Sequence, residues 1–135
     1  MRIIKALFML ILLAGCTNMN MQQNSEHYIY KGVLPAADCS GIEYELKIDN
    51  KEQSYTLVST YLDAEGDGKH ISFKSDGKIE IISPSGIDKY YKLDSANPLE
   101  ALNFKIINDT TLCLVNSDLE MPSSPENYII NRVKE

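Results

Sequence analysis

The chain has 135 residues, 44% of them apolar, and carries 13 basic against 19 acidic side chains for a net charge of −6. That length holds one domain, and the acidic balance excludes nucleic acid as a partner, because a phosphate backbone requires a basic face.

Residues 1–15 read as a leader outside the fold. Arg2 and Lys5 precede an apolar run at 6–13, and Ala14 and Gly15 supply small side chains before Cys16. The run is far shorter than the roughly 20 residues needed to span a bilayer, so it is an export signal that is cleaved. Its removal takes Arg2 and Lys5 away and shifts the net charge from −6 to −8. Leu13-Ala14-Gly15-Cys16 has the form of a bacterial lipobox, in which small residues let the signal peptidase close around an extended backbone. Cys16 then becomes the lipidated mature N-terminus, and two or more acyl chains give stable anchoring. An ordinary signal with an incidental cysteine is the alternative. By resemblance to lipoproteins of double-membraned bacteria, Thr17 in place of Asp after the cysteine indicates the outer membrane.

Residues 16–26 are polar and aperiodic, which makes a flexible tether, and the folded domain occupies 27–135. Tyr28, Tyr30 and Val33 begin an extended segment that ends at Pro35, which has no N–H for a ladder. Over 42–49, Ile42, Tyr44, Leu46 and Ile48 alternate with Glu43, Glu45, Lys47 and Asp49. This is a strand with one buried and one wet face. A turn at 50–53 returns the chain along 55–62, rich in Tyr, Thr and Val. Further extended segments are predicted at 70–74, 78–82 and 89–93, with Ser75-Asp76-Gly77 as a tight reversal between the first two. The series closes with 102–106, 111–115 and 128–133. About nine short segments separated by turn residues predict an all-β fold, a barrel or sandwich.

The chemistry-bearing residues are few. With Cys16 assigned to lipid, Cys39 and Cys113 form an even pair in an oxidising compartment. A disulfide between them is the expectation, and two separate thiols the alternative. Asp63, Glu65, Asp67 and Gly68 imitate the start of a calcium loop, but Lys74 stands where a bidentate glutamate is required. A solvated acidic hairpin is the simpler reading. Met19, Met21 and His27, with Cys39 if reduced, are weak candidate ligands for copper, because thioether, thiolate and imidazole suit that metal. No cofactor is otherwise implied. His27 and His70 are the two histidines, and neither sits in a nucleophile motif. Asp38 beside Cys39 opposes thiolate formation. A non-enzymatic role follows.

The stretch 32–42 then carries a resemblance. Gly32-x-Leu34-Pro35-Ala36-Ala37-Asp38-Cys39-x-Gly41-Ile42 is similar to the signature of the NlpE family of copper-resistance lipoproteins. Tyr55-Thr56-Leu57, Tyr61-Leu62, Tyr90-Tyr91, Leu99-x-x-Leu102 and Asn127-Tyr128 follow in the family's order. The resemblance implies a small antiparallel lipocalin-like β-barrel tethered to the outer membrane, facing the periplasm or the cell surface. It implies a part in envelope stress sensing, adhesion signalling or copper homeostasis, with the periplasmic domain of a sensor kinase as partner. A binding protein for copper or for a small apolar ligand is the other role it admits. Some members have Cys-x-x-Cys in this loop; here Ala36 takes the first position, so Cys39 alone matches. Longer members also have a second C-terminal domain, which these 135 residues do not include.

Overall fold

The computed structural model describes residues 27–64, 68–95 and 101–134. The expected leader, Cys16, Met19, Met21 and the rest of the tether lie outside the described residues. Eight antiparallel strands follow in chain order: β1 (His27–Leu34), β2 (Gly41–Asp49), β3 (Ser54–Leu62), β4 (Ile71–Ile82), β5 (Tyr90–Leu93), β6 (Leu102–Asn108), β7 (Thr111–Val115) and β8 (Ile129–Val133). A 3-10 turn at Pro125–Tyr128 precedes β8. Each strand pairs with its neighbours in the chain, and β8 returns to β1, so the sheet closes into a barrel. The all-β barrel read from the alternating pattern is the fold. Among the described residues no helix is long and apolar enough to cross a membrane.

The β2–β3 hairpin shows why alternation specifies this architecture. Its register places Ile42 opposite Tyr61, Tyr44 opposite Ser59, Leu46 opposite Leu57 and Ile48 opposite Tyr55. These side chains all point into the barrel, because successive residues of a strand face opposite sides of the sheet. Glu45 faces out and meets Lys31 of β1, Nζ to Oε2 at 2.9 Å. Asp49 starts the turn by accepting the amides of Lys51 and Glu52, each at 3.0 Å.

One expectation is corrected. The segments at 70–74 and 78–82 are a single twelve-residue strand, β4, and Ser75-Asp76-Gly77 runs straight through it. The turn-like composition has another cause. Gly77 pairs with Tyr55 in the ladder, and a Cβ on it would run into the backbone carbonyl of Asp94. Glycine is there for a close approach, not for a reversal.

The end of the barrel where β1 begins is its lower end, and the end carrying the β1–β2 loop is its upper end. The packed core occupies the lower and middle interior. Leu46, Ile48, Phe104, Leu112 and Ile130 are fully buried there. At the bottom, the Arg132 guanidinium lies over the Tyr28 ring, 3.8 Å from its centroid, and Tyr30 Oη donates to the Asp109 carbonyl at 3.5 Å. Burial, reinforced by neighbouring Tyr91, pushes the Tyr30 hydroxyl up to about 12.

Candidate functional site

The upper end is built differently. Leu34 is the last residue of β1 and is buried; Pro35 follows and releases the chain from the ladder. The loop 35–40 crosses the mouth and is tied down where the Ser40 amide donates to the Leu62 carbonyl at 3.1 Å. Gly41 re-enters the sheet with φ of +152°, and Cys39 Sγ donates to its carbonyl at 3.1 Å. Beneath this loop is a cavity of about 440 Å³ with Ala36, Ala37, Ile42, Ile71 and Phe73 in its lining. A second cavity, of about 500 Å³, includes Tyr44, Leu57, Ser59, Lys74, Ser75 and Leu102. Tyr61 and Phe73 line both, and their rings meet edge to face with centroids 5.6 Å apart.

The strand register explains the space. Ile71 and Phe73 share the inward face of β4 with Ser75, Gly77 and the buried Ile79. Yet Phe73 is 60% exposed, Ile71 38% and Tyr61 36%. Inward-pointing aromatic and aliphatic side chains that remain wet mark an upper interior that is open on the β3–β4 side, whereas Leu34 of β1 is buried at the same end. An eight-stranded barrel has room for either a filled core or one small ligand, and this one divides the two options by height. Burial, with Tyr61 adding to it, raises the Tyr44 hydroxyl above the usual tyrosine range, so that group stays protonated as a donor.

The sequence-predicted residues separate into two groups. Gly32 and Leu34 belong to the barrel wall and core, whereas Ala36, Asp38, Cys39 and Ile42 line the mouth. His27 lies at the lower end, its Nδ1 3.7 Å from Asp49 Oδ2. It is therefore a barrel's length from Cys39, and the two do not form one copper site. Among the described residues no group of three His, Cys, Asp or Glu side chains is placed to hold a metal ion. Asp63 Oδ1 accepts the Gly68 amide at 2.6 Å and so closes its own hairpin; Glu65 and Asp67 lie outside the described residues. From the sequence Tyr44 reads as an inward strand residue and Tyr61 as part of the family resemblance, but neither they nor Ser59 and Phe73 read as lining a cavity. Their signal was the inward register of β2, β3 and β4, hidden by dividing β4 in two.

The expected Cys39–Cys113 disulfide is not formed; both thiols are free. Cys39 sits at the mouth, among inward-facing side chains of β2, β3 and β4. Cys113 faces the other way: Leu112 and Leu114 on either side belong to the interior cluster, and Cys113 is buried outside the wall beneath the 3-10 turn, its Sγ 3.8 Å from the Pro125 carbonyl. Burial pushes its thiol up, with Lys105 partly opposing. Maleimide treatment followed by peptide mass mapping should therefore modify Cys39 in the native chain and Cys113 only after denaturation. Protection of both, relieved by reductant, would restore the disulfide.

The NlpE N-terminal domain family matches residues 30–125. A solved structure from Shewanella oneidensis, described as a lipoprotein, superposes with a TM-score of 0.58 at 24% identity, covering 77% of this chain and 85% of that one. At that identity the likeness speaks for the fold. No curated protein matches the chain.

Proposed function

The chain belongs to the NlpE family, a family of lipoproteins, and from that premise we propose that it is a non-enzymatic lipoprotein of the outer membrane, anchored through Cys16, that signals envelope stress by contact with a periplasmic partner such as a sensor kinase domain. The observation that carries this reading is that the family match runs from within β1 through β7 and includes the mouth loop. The start of the described domain supports it: His27 opens β1 at the packed lower end, and the mouth is at the opposite end of the barrel. A signalling contact of this kind needs a surface and an address, and no bond-making step.

The test is overexpression of the full chain in a double-membraned bacterium carrying an envelope-stress reporter. Wild type should induce the reporter, with a diacyl or triacyl mass on Cys16 after removal of residues 1–15. Cys16→Ala should lose both the lipid and the induction. An unchanged reporter in cells that contain the lipidated protein would sink the reading.

A second reading is favoured by one observation of its own, the hollow upper barrel. It is that the domain binds a small apolar ligand in its mouth. The copper alternative gains no such support, since His27 and Cys39 stand at opposite ends and Met19 and Met21 lie outside the described residues.

A further inference from the structure

From the apolar side chains left exposed at the lower end we infer that this end docks on a phospholipid bilayer, seating Ile81, Ile87 and Ile107 at the boundary between headgroups and acyl chains. This rests on the reading of Cys16 as a lipid anchor, and it concerns the surface opposite the mouth.

Among the described residues the exposed large apolar side chains stand toward the barrel's two ends and not around its waist. Ile87 is 85% exposed, Ile81 57% and Ile107 43%. All three are on the lower side, where the β2–β3, β4–β5 and β6–β7 turns lie. Ile81 follows the buried Ile79 down the inward face of β4 and comes out where the barrel opens. Ile107 is the residue passed over in the register shift between Ile106 and Asn108, and a bulge of that kind re-aims a side chain at the end of a strand. The two turns are neighbours: the Ile106 amide donates to the Lys89 carbonyl at 2.9 Å, and Lys105 Nζ is 3.7 Å from Asp88 Oδ1.

The tip that carries Ile87 is suited to leaving water. Lipid offers no hydrogen bonds, so a segment entering it must satisfy its own backbone. Here the Gly86 amide donates to the Ser83 carbonyl at 3.1 Å, and the Ile87 and Asp88 amides donate to Ser85 Oγ at 3.3 and 3.2 Å. Ser83 Oγ closes the loop by donating to the Asp88 carbonyl at 2.8 Å. The occupant follows from the anchor. β1 starts at this end with His27, eleven positions after Cys16, and that length of chain spans at most about 40 Å. A lipid on Cys16 thus holds the lower end close to a bilayer, at roughly millimolar effective concentration, where a few apolar contacts suffice. Headgroup charge contributes little, because Lys51 and Lys89 on the lower turns are offset by Glu52, Asp88 and Asp109.

The chain has no tryptophan, so Ile87→Trp supplies a single reporter at the lower end and Phe73→Trp one at the mouth. Each full chain, with acylation of Cys16 checked by mass, is reconstituted in phosphatidylethanolamine–phosphatidylglycerol vesicles with and without brominated phosphatidylcholine. Emission of Ile87→Trp should shift to the blue and be quenched about twofold or more, since interfacial apolar residues reach roughly 5–10 Å into the headgroup and acyl boundary. Emission of Phe73→Trp should not change. Adding Ile81→Ser and Ile107→Ser to Ile87→Trp should remove most of the quenching with Tm little changed. Salt at about 1 M, which shortens the Debye length to roughly 3 Å, should leave the quenching intact. Equal changes at the two reporters, or none at Ile87→Trp, would overturn the docking while leaving the lipid anchor standing. A Cys16 without acyl chains would overturn the anchor and the docking together. Dimerisation of the Cys16→Ala chain in solution, relieved by Ile107→Ser, would assign the apolar end to a second copy and so overturn the docking.

Discussion

Gly32→Val should cost about 3 kcal/mol or more, at the top of the range for forcing atoms into a packed site, and should read as a large fall in the urea midpoint. A Cβ at position 32 meets the Ile129 carbonyl oxygen at 2.6 Å and the Ile130 Cγ2 at 2.8 Å. The first of these is backbone, which has no rotamer by which to move aside. Relief then requires β8 to withdraw from β1. That seam holds by three register pairs, Ile29–Val133, Tyr30–Arg132 and Lys31–Asn131, where β1 and β2 share eight. The barrel should consequently fail at its closure, with Arg132 leaving the Tyr28 ring. Gly32→Ala should lie between the two. A valine variant that melts with the wild type would mean that β8 does not close against this face.

Phe104→Ala should destabilise by about 3–5 kcal/mol, the range for removing a buried phenyl ring. Phe104 is fully buried, and its register partners Tyr91 and Leu114 are interior residues on either side. The cavity would lie among Leu46, Leu112 and other closed-in side chains, which leaves little freedom to collapse. Phe73→Ala is the companion measurement. The same chemical change at a 60% exposed ring should cost under about 1 kcal/mol, because little of that ring's surface leaves water on folding. Chemical denaturation of the two variants side by side thus measures the packed and the hollow half of one barrel. Equal losses would show that the mouth is filled in solution.

Much of the wall was legible in the residues. Strict alternation from Ile42 to Ile48 and from Tyr55 to Leu57 gave the strands, the inward faces and the hairpin, because a period of two has one structural meaning when one face is apolar. Pro35 marked the end of β1 for an equally local reason. The misreadings share a different origin. Ser75-Asp76-Gly77 looks like a turn by local propensity, and only Asp94, seventeen positions on, explains the glycine. The even pair of cysteines suggested a crosslink, but counting thiols says nothing of which side of a wall each occupies. Phe73 carries no signal of its own in the sequence, since inward pattern and actual filling are indistinguishable until the opposite strands are in place.

An even number of strands running up and down returns both ends of the domain to its lower side, with β1 entering there and β8 leaving. Tension between the amino end and anything gripped at the mouth therefore runs along β1. Ladder bonds in an antiparallel pair lie across the strands, so this load shears the eight β1–β2 register pairs at once instead of peeling them singly. Mechanical strength in this direction comes from geometry, and a tugged domain keeps the shape of its mouth.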